Sequence, residues 1–301
     1  MRKHSRTSAP DPRGETPPRF AAGGRVQAGG RSFPRLAAEL ERLYRLYNRR
    51  DRVANDPVRF VHGLDPPDRE VAALIASSLA YGRVGQILAS VGRLLGAMPA
   101  PAAFLAQSSR ARIRRAVGRF RHRFTTAADM AAMLAGVKDA LARWGSLERC
   151  FAEGMRTGDE TIVPALGAFV ERIAGRAPRG GFSLLPPPGR GSACKRLNLF
   201  LRWMVRSDEV DPGGWGLVPA SMLVVPLDTH LHRVGRGLGF TGRRSADLRA
   251  AVEVTEAFRR LAPADPVRYD FALAHLGIGG GTAEFLRRAG GGGDERPDPG
   301  A

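Results

Sequence analysis

The spacing of apolar residues constrains this chain most. From Phe33 onward they return every three or four positions, and no in-out alternation lasts long enough to name a strand. Leu36, Leu40, Leu43, Leu46 and Tyr47 make one face of a helix over Phe33–Tyr47. Asp65 stands as the N-cap of a second helix, with Pro66 in its first turn and Asp68 and Glu70 complementing its dipole. Its stripe is Val71, Leu74, Ile75, Ser78 and Leu79, and it ends near Tyr81 and Gly82. A third helix runs from Val84 to Met98 and closes before Pro99. The basic stretch Arg110–Arg123 follows, with Ile113, Val117, Phe120 and Phe124 as its core stripe. Helical patterns continue over Ala127–Trp144, Leu147–Met155 and Thr161–Ile173. Others lie at Leu197–Val205, from the Asp228 cap to Gly239, over Asp247–Leu261 and over Pro266–Leu276. Between them, Ala177–Gly191 is Pro- and Gly-rich and reads as a loop or the entry to a hairpin, and Asp211-Pro212-Gly213-Gly214 is a break. The expected class is all-α.

With 301 residues and 43% apolar content, the chain can bury one large core or two small ones sharing helices. Residues 1–31 mix Arg, Pro, Gly and Ser without an apolar signal region, so they read as a disordered basic tail. Residues 32–286 read as the helical body and 287–301 as a flexible Gly-rich tail. No apolar run is long enough for a membrane span, so no membrane partner is expected, and the expected location is cytoplasmic, associated with the nucleoid. Two cysteines, Cys150 and Cys194, exclude a disulfide scaffold and any four-cysteine cluster built from this chain. The net charge is +18, of which the first 31 residues carry only +5, so the body itself is cationic and suits a phosphate polyanion. Part of that charge reflects composition, because 44 arginines stand against three lysines, Lys3, Lys138 and Lys195.

The segment Pro226-Leu227-Asp228-Thr229-His230-Leu231-His232-Arg233-Val234 resembles the aspartate motif of the helix-hairpin-helix DNA glycosylases, the superfamily of endonuclease III and the 8-oxoguanine glycosylases. The longer block from Asn55 to Gly277 resembles a bacterial family of unassigned substrate related to that superfamily. The resemblance implies two interleaved helical subdomains with a cleft between them, and a monomer acting on DNA, with RNA as the alternative partner. A lyase-competent member carries a lysine before the aspartate, and the only lysine beyond Lys138 is Lys195. Its neutral amine would attack C1′ of the damaged nucleotide and form a Schiff base, which a guanidinium cannot do. Asp228 would stabilise the cationic sugar or help deprotonate the nucleophile; it is equally a common N-cap, a role that needs no catalysis. No cofactor and no metal are implied. The helix ending at Tyr81 would correspond to the one that supplies residues inserted into the duplex, with Tyr81, Arg83 and Gln86 near the DNA.

Further contacts are expected from Arg110, Arg112, Arg114, Arg115 and Arg121 on the basic stretch, from Arg190, Ser192 and Arg196 around the hairpin, and from His230 and Arg233. The basic stretch is equally readable as a solvated face. Two departures stand out. The usual Leu-Pro-Gly-Val-Gly hairpin is replaced by Pro188-Gly189-Arg190-Gly191-Ser192-Ala193-Cys194, and Lys195 lies 33 positions before Asp228, a gap longer than in endonuclease III. That longer gap resembles the archaeal 8-oxoguanine glycosylase branch, with Asp208–Met222 as the insertion. Trp203 and Trp215 are open to two roles, stacking on an extruded base or filling the core. His230 and His232 are two apart, which on a helix turns them about 200° from each other, poor geometry for one metal. Two rivals to the glycosylase therefore remain: a non-catalytic nucleic-acid-binding protein on the same scaffold, and a metal-dependent phosphoesterase using those two histidines.

Overall fold

The computed structural model describes residues 33–174, 184–188 and 191–290, and over these the chain is all-α apart from one two-stranded hairpin. The basic tail, Arg190 and the stretch beyond Gly290 lie outside the described residues. In chain order the first helices are α1 (Phe33–Tyr47), α2 (Pro66–Ser78), α3 (Val84–Gly96), α4 (Pro101–Gln107) and α5 (Arg110–Val117). Strands β1 (Arg121–His122) and β2 (Thr125–Thr126) follow. Then come α6 (Ala127–Trp144), α7 (Leu147–Ala152), α8 (Val163–Ala174), α9 (Lys195–Val205), α10 (Thr229–Gly237), α11 (Leu248–Arg259), α12 (Asp270–Ile278) and α13 (Thr282–Arg288). No single helix among the described residues is long and apolar enough to cross a membrane.

Two packing groups share one continuous apolar core. In one, α6 packs on α4, α5, α7 and α8, and α2 packs on α4 and α9; in the other, α1 lies on α12 and α13, and α10 on α11, α12 and α13. The centre is α2, which is buried on every side from Glu70 to Ser78. Each large side chain it encloses, Leu74 and Ile75 among them, gains about 1.5–3 kcal/mol from leaving water. Polar side chains set the helix starts: Ser109 Oγ accepts from Arg112 N at 3.2 Å, Thr126 and Asp129 form a capping box on α6, and Asp247 Oδ1 accepts from Ala250 N at 2.9 Å.

Several expectations are corrected. Asp65 makes no capping bond from its side chain, and Asp68 instead accepts from Ala102 N at 2.8 Å, tying α2 to α4. Glu70 does not sit on a solvated first turn. It is buried, and its carboxylate accepts from Leu147 N (2.8 Å), Glu148 N (3.1 Å) and Trp215 Nε1 (2.8 Å), so it holds the start of α7 and the loop after α9. Burial pushes the Glu70 carboxyl above its usual value, and those three donors counter the rise. The basic stretch is not one helix: α5 ends at Val117 because Gly118 takes φ +58°, and the chain then turns into the hairpin. Phe124 therefore leaves the core and stands 75% exposed. Trp203 and Trp215 are both core residues, Trp215 packing edge-on against Phe200 at 5.2 Å, so neither is placed to stack on a base. Helices α4 and α13 were not expected, and the last long helix starts at Asp270 rather than Pro266.

Candidate functional site

The break before α9 is tight. Gly191 has φ +74°, and Cys194, a residue with a side chain, is held at φ +51° immediately before Lys195. Ser192 Oγ accepts from Cys194 N at 3.1 Å, so the hydroxyl expected to meet DNA serves the turn. Asn198 Nδ2 donates to Ala193 O at 3.1 Å and secures it from the helix side. Burial pushes the Cys194 thiol up to about 11, and Cys150 likewise, so both behave as protonated, inert thiols. The turn leaves Lys195 as the first residue of α9, its side chain pointing across to the start of α10.

There it meets Asp228. Lys195 Nζ donates to Asp228 Oδ2 at 3.1 Å, while Asp228 Oδ1 accepts from Leu231 N at 2.8 Å and caps α10. One carboxylate thus pairs with Lys195 and caps α10, and joins the two helix groups. The pair is reachable from solvent, with 39% of the Lys195 side chain and 33% of the Asp228 side chain exposed. Partial burial opposes ionisation of Asp228, but the Lys195 ammonium and the Leu231 amide outweigh it and hold the carboxyl below its usual range.

Two carboxylates that the sequence did not single out share the Lys195 field. Asp56 accepts from Val58 N at 2.8 Å at the head of a short 3₁₀ turn, and Asp270, the first residue of α12, pairs with the buried Arg202. Burial pushes both upward, opposed at Asp56 first by the Val58 amide, at both by Arg202 and, more weakly, by Lys195. An acid opening an otherwise apolar helix was the available signal for Asp270. Arg202 also reaches Asp211 at 3.0 Å, and Arg206 pairs with Asp208 at 2.8 Å and with Asp265 at 3.0 Å. The Asp208–Met222 insertion is therefore locked onto α9 by a buried ionic cluster.

The histidines do not converge. His230 Nε2 meets Leu273 O at 3.0 Å and its ring lies against Gly277, where any side chain would collide with it. His232 Nε2 meets Arg243 O, also at 3.0 Å, in another direction. With each ring bonded to a different backbone carbonyl, the phosphoesterase reading loses its geometry. His230 is thus a strut that seats α10 on α12.

The remaining candidates occupy a second region. Tyr81 is half-buried; its hydroxyl donates to His122 O at 2.9 Å and lies 2.6 Å from Thr125 Oγ1, while the Arg196 guanidinium lies 5.0 Å over its ring. Arg196 Nη1 donates to Ser78 O at 2.9 Å. Arg83, Gln86 and Arg121 are exposed beside this cluster. On α5, Arg112, Arg114 and Arg115 are exposed, Arg112 lying 5.2 Å over Phe104, and Arg110 is paired with Asp139 at 2.5 Å, so it is the least available of the four. Arg233 is exposed on α10. The concavity of about 150 Å³ lined by Glu70, Ser146, Met204 and Trp215 is at the opposite end of α9 from Lys195 and, Trp215 apart, holds none of the expected residues.

No curated protein and no solved structure matches the chain significantly. One family model does, over residues 56–279, a span that contains Lys195, Asp228 and the Tyr81 cluster; its description is a protein of unknown function, DUF2400. The chain belongs to that family.

Proposed function

We propose that the protein is a DNA glycosylase with abasic-site lyase activity, in which Lys195 is the nucleophile and Asp228 its charge partner. The observation that carries this reading is the 3.1 Å contact between Lys195 Nζ and Asp228 Oδ2, made between the first residue of one helix and the N-cap of another across 33 positions of sequence. An amine beside a carboxylate at a solvent-reachable junction, on a chain of net charge +18, is the pairing that imine chemistry on a phosphate polymer needs.

The steps balance with these two groups and water. Asp228 Oδ2 first takes a proton from the Lys195 ammonium; the freed Nζ then forms a bond to C1′ as the C1′–N bond to the base breaks, and the electron pair leaves with the base, which takes up that proton. The carboxylate so restored stabilises positive charge on the sugar, and a second Nζ proton passes through Oδ2 to O4′ as the C1′–O4′ bond breaks. Ring opening gives the protonated imine, and loss of a proton from C2′ expels the 3′ phosphate. Water then releases the sugar and restores the amine. Lys138 is poorly placed to compete, because its Nζ donates to Leu105 O at 3.0 Å and to Ala106 O at 2.8 Å at the end of α4.

A non-catalytic DNA-binding protein on the same scaffold is the second reading, favoured by the replacement of the usual hairpin sequence before Lys195. Borohydride trapping on DNA with abasic and oxidised-base sites separates the two. A covalent adduct lost in Lys195→Gln supports the enzyme. Salt-sensitive binding with no adduct on any lesion supports the binding protein.

A further inference from the structure

Phe124 is the anomaly of the cationic surface. A helix continued from α5 would have buried it; instead the hairpin places it in the two-residue turn between β1 and β2 with 75% of its surface open. Exposure of one phenylalanine needs no explanation by itself, but this one is held there by a fixed framework. His122, at the second position of β1, is buried, with Nδ1 at 2.9 Å from Ser90 Oγ and Nε2 at 3.0 Å from Tyr81 O. The Tyr81 hydroxyl bonds both strands, and its ring packs edge-on to His122 at 4.7 Å and parallel to Phe124 at 6.1 Å, with 4° between the planes. Arg123 accepts φ +50°, a left-handed backbone uncommon for a residue with a side chain, and its guanidinium lies 5.3 Å over the Phe124 ring. The hairpin tip abuts the turn after α2, where a side chain at Gly82 would run into Arg123.

Charge surrounds the ring. Arg83, Arg119, Arg121 and Arg123 are all exposed, and none makes an ion pair among the described residues. A largely exposed aromatic ring amid arginines that make no ion pair among the described residues is the arrangement that holds an unpaired base by its π-face and its flanking phosphates by charge. It does not suit a paired duplex, whose bases offer no free face. We propose that Phe124, at the tip of the β1–β2 hairpin, is a stacking platform for an unpaired DNA base, with Arg83, Arg121 and Arg123 holding the adjoining phosphates. Tyr81 is then a support beneath the platform, and Arg196, over the Tyr81 ring and next to Lys195 in the chain, joins it to the Lys195–Asp228 pair. This inference rests on DNA as the partner in the function proposed above, and not on imine formation at Lys195.

The test is equilibrium binding of the full chain to two DNA probes, a duplex with a central bulge containing 2-aminopurine and the same duplex fully paired. The wild type should bind the bulged probe more tightly and quench its 2-aminopurine. Phe124→Ala should weaken binding to the bulged probe by about 5- to 150-fold, the range for removing one base–aromatic stack, and should abolish the quenching. Its affinity for the paired duplex should be unchanged, Phe124→Trp should restore both signals, and urea unfolding should match the wild type because the side chain is exposed. Equal loss on both probes, or no loss on either, overturns the platform while leaving the Lys195 chemistry standing. Wild-type protein that binds neither probe overturns both proposals. A bulged RNA bound while bulged DNA is not overturns DNA as the occupant.

Discussion

Replacing Asp228 by Asn and by Ala separates its two roles, because the two oxygens face different partners. Asparagine keeps an oxygen to accept from Leu231 N and is as good an N-cap as aspartate, but it loses the charge opposite Lys195. The pair is a third or more exposed, so its loss costs at most about 1 kcal/mol. Alanine removes the cap as well, which adds about 1 kcal/mol within a range of roughly 0.5–2. Urea unfolding should therefore rank wild type, Asn and Ala in that order, with about 1 kcal/mol between successive members. Single-turnover base release should not follow that ranking. Both variants lose the carboxylate, and removing one preorganised charge-stabilising group typically slows the chemical step by about 10²–10³-fold, so both should fall together. If Asn and Ala are equally destabilised, the cap is not made as described. If Asn releases base at the wild-type rate, Asp228 is a structural cap alone.

The pH dependence of the same pair has a definite sign. Lys195 and the Leu231 amide hold the Asp228 carboxyl below its ordinary value, so the folded state binds that proton less readily than the unfolded chain. The stabilisation is present above the ordinary carboxylate value and lost as the pH falls through the lower folded-state one. The difference in urea stability between wild type and Asp228→Asn should be constant from about pH 5 to 8 and shrink below about pH 4; a difference that grows on acidification would contradict the pairing. At the other end of α9, Glu70→Ala leaves Leu147 N, Glu148 N and Trp215 Nε1 buried without their acceptor, at about 1–3 kcal/mol each. A loss of at least about 3 kcal/mol is expected in urea unfolding, and a loss within experimental error would show that the three donors find other partners.

The sequence was most readable where a local rule acted alone. Asp228 before Thr229 caps its helix as its residue type suggests, and Leu36, Leu40 and Leu43 of α1 and most of the α9 stripe are buried as their spacing implies, although Leu46, at the end of the α1 stripe, is 44% exposed. It was least readable where tertiary enclosure overrode the local rule. Glu70 looks like a first-turn acid until α7 and the Trp215 loop close over it. Phe124 continues the period of α5 on paper, but Gly118 ends that helix at Val117, about two turns earlier, and the register is lost. Periodicity also cannot bring Lys195 to Asp228, because their contact depends on how α9 and α10 cross. Only the resemblance suggested that pair, and nothing in it pointed to Phe124 or to Asp56 and Asp270.

If Lys195 is the nucleophile, one amine of this chain becomes covalently bonded to DNA. Besides the N-terminal amine, the chain offers three lysines, Lys3, Lys138 and Lys195. After borohydride reduction on abasic-site DNA, nuclease trimming and tryptic digestion, mass spectrometry can assign the modified residue. A modified Lys195 resists trypsin, so a sugar remnant is expected on the single peptide Gly191–Arg196. A remnant on Lys138, Lys3 or the N-terminus, or no remnant on any peptide, would contradict it.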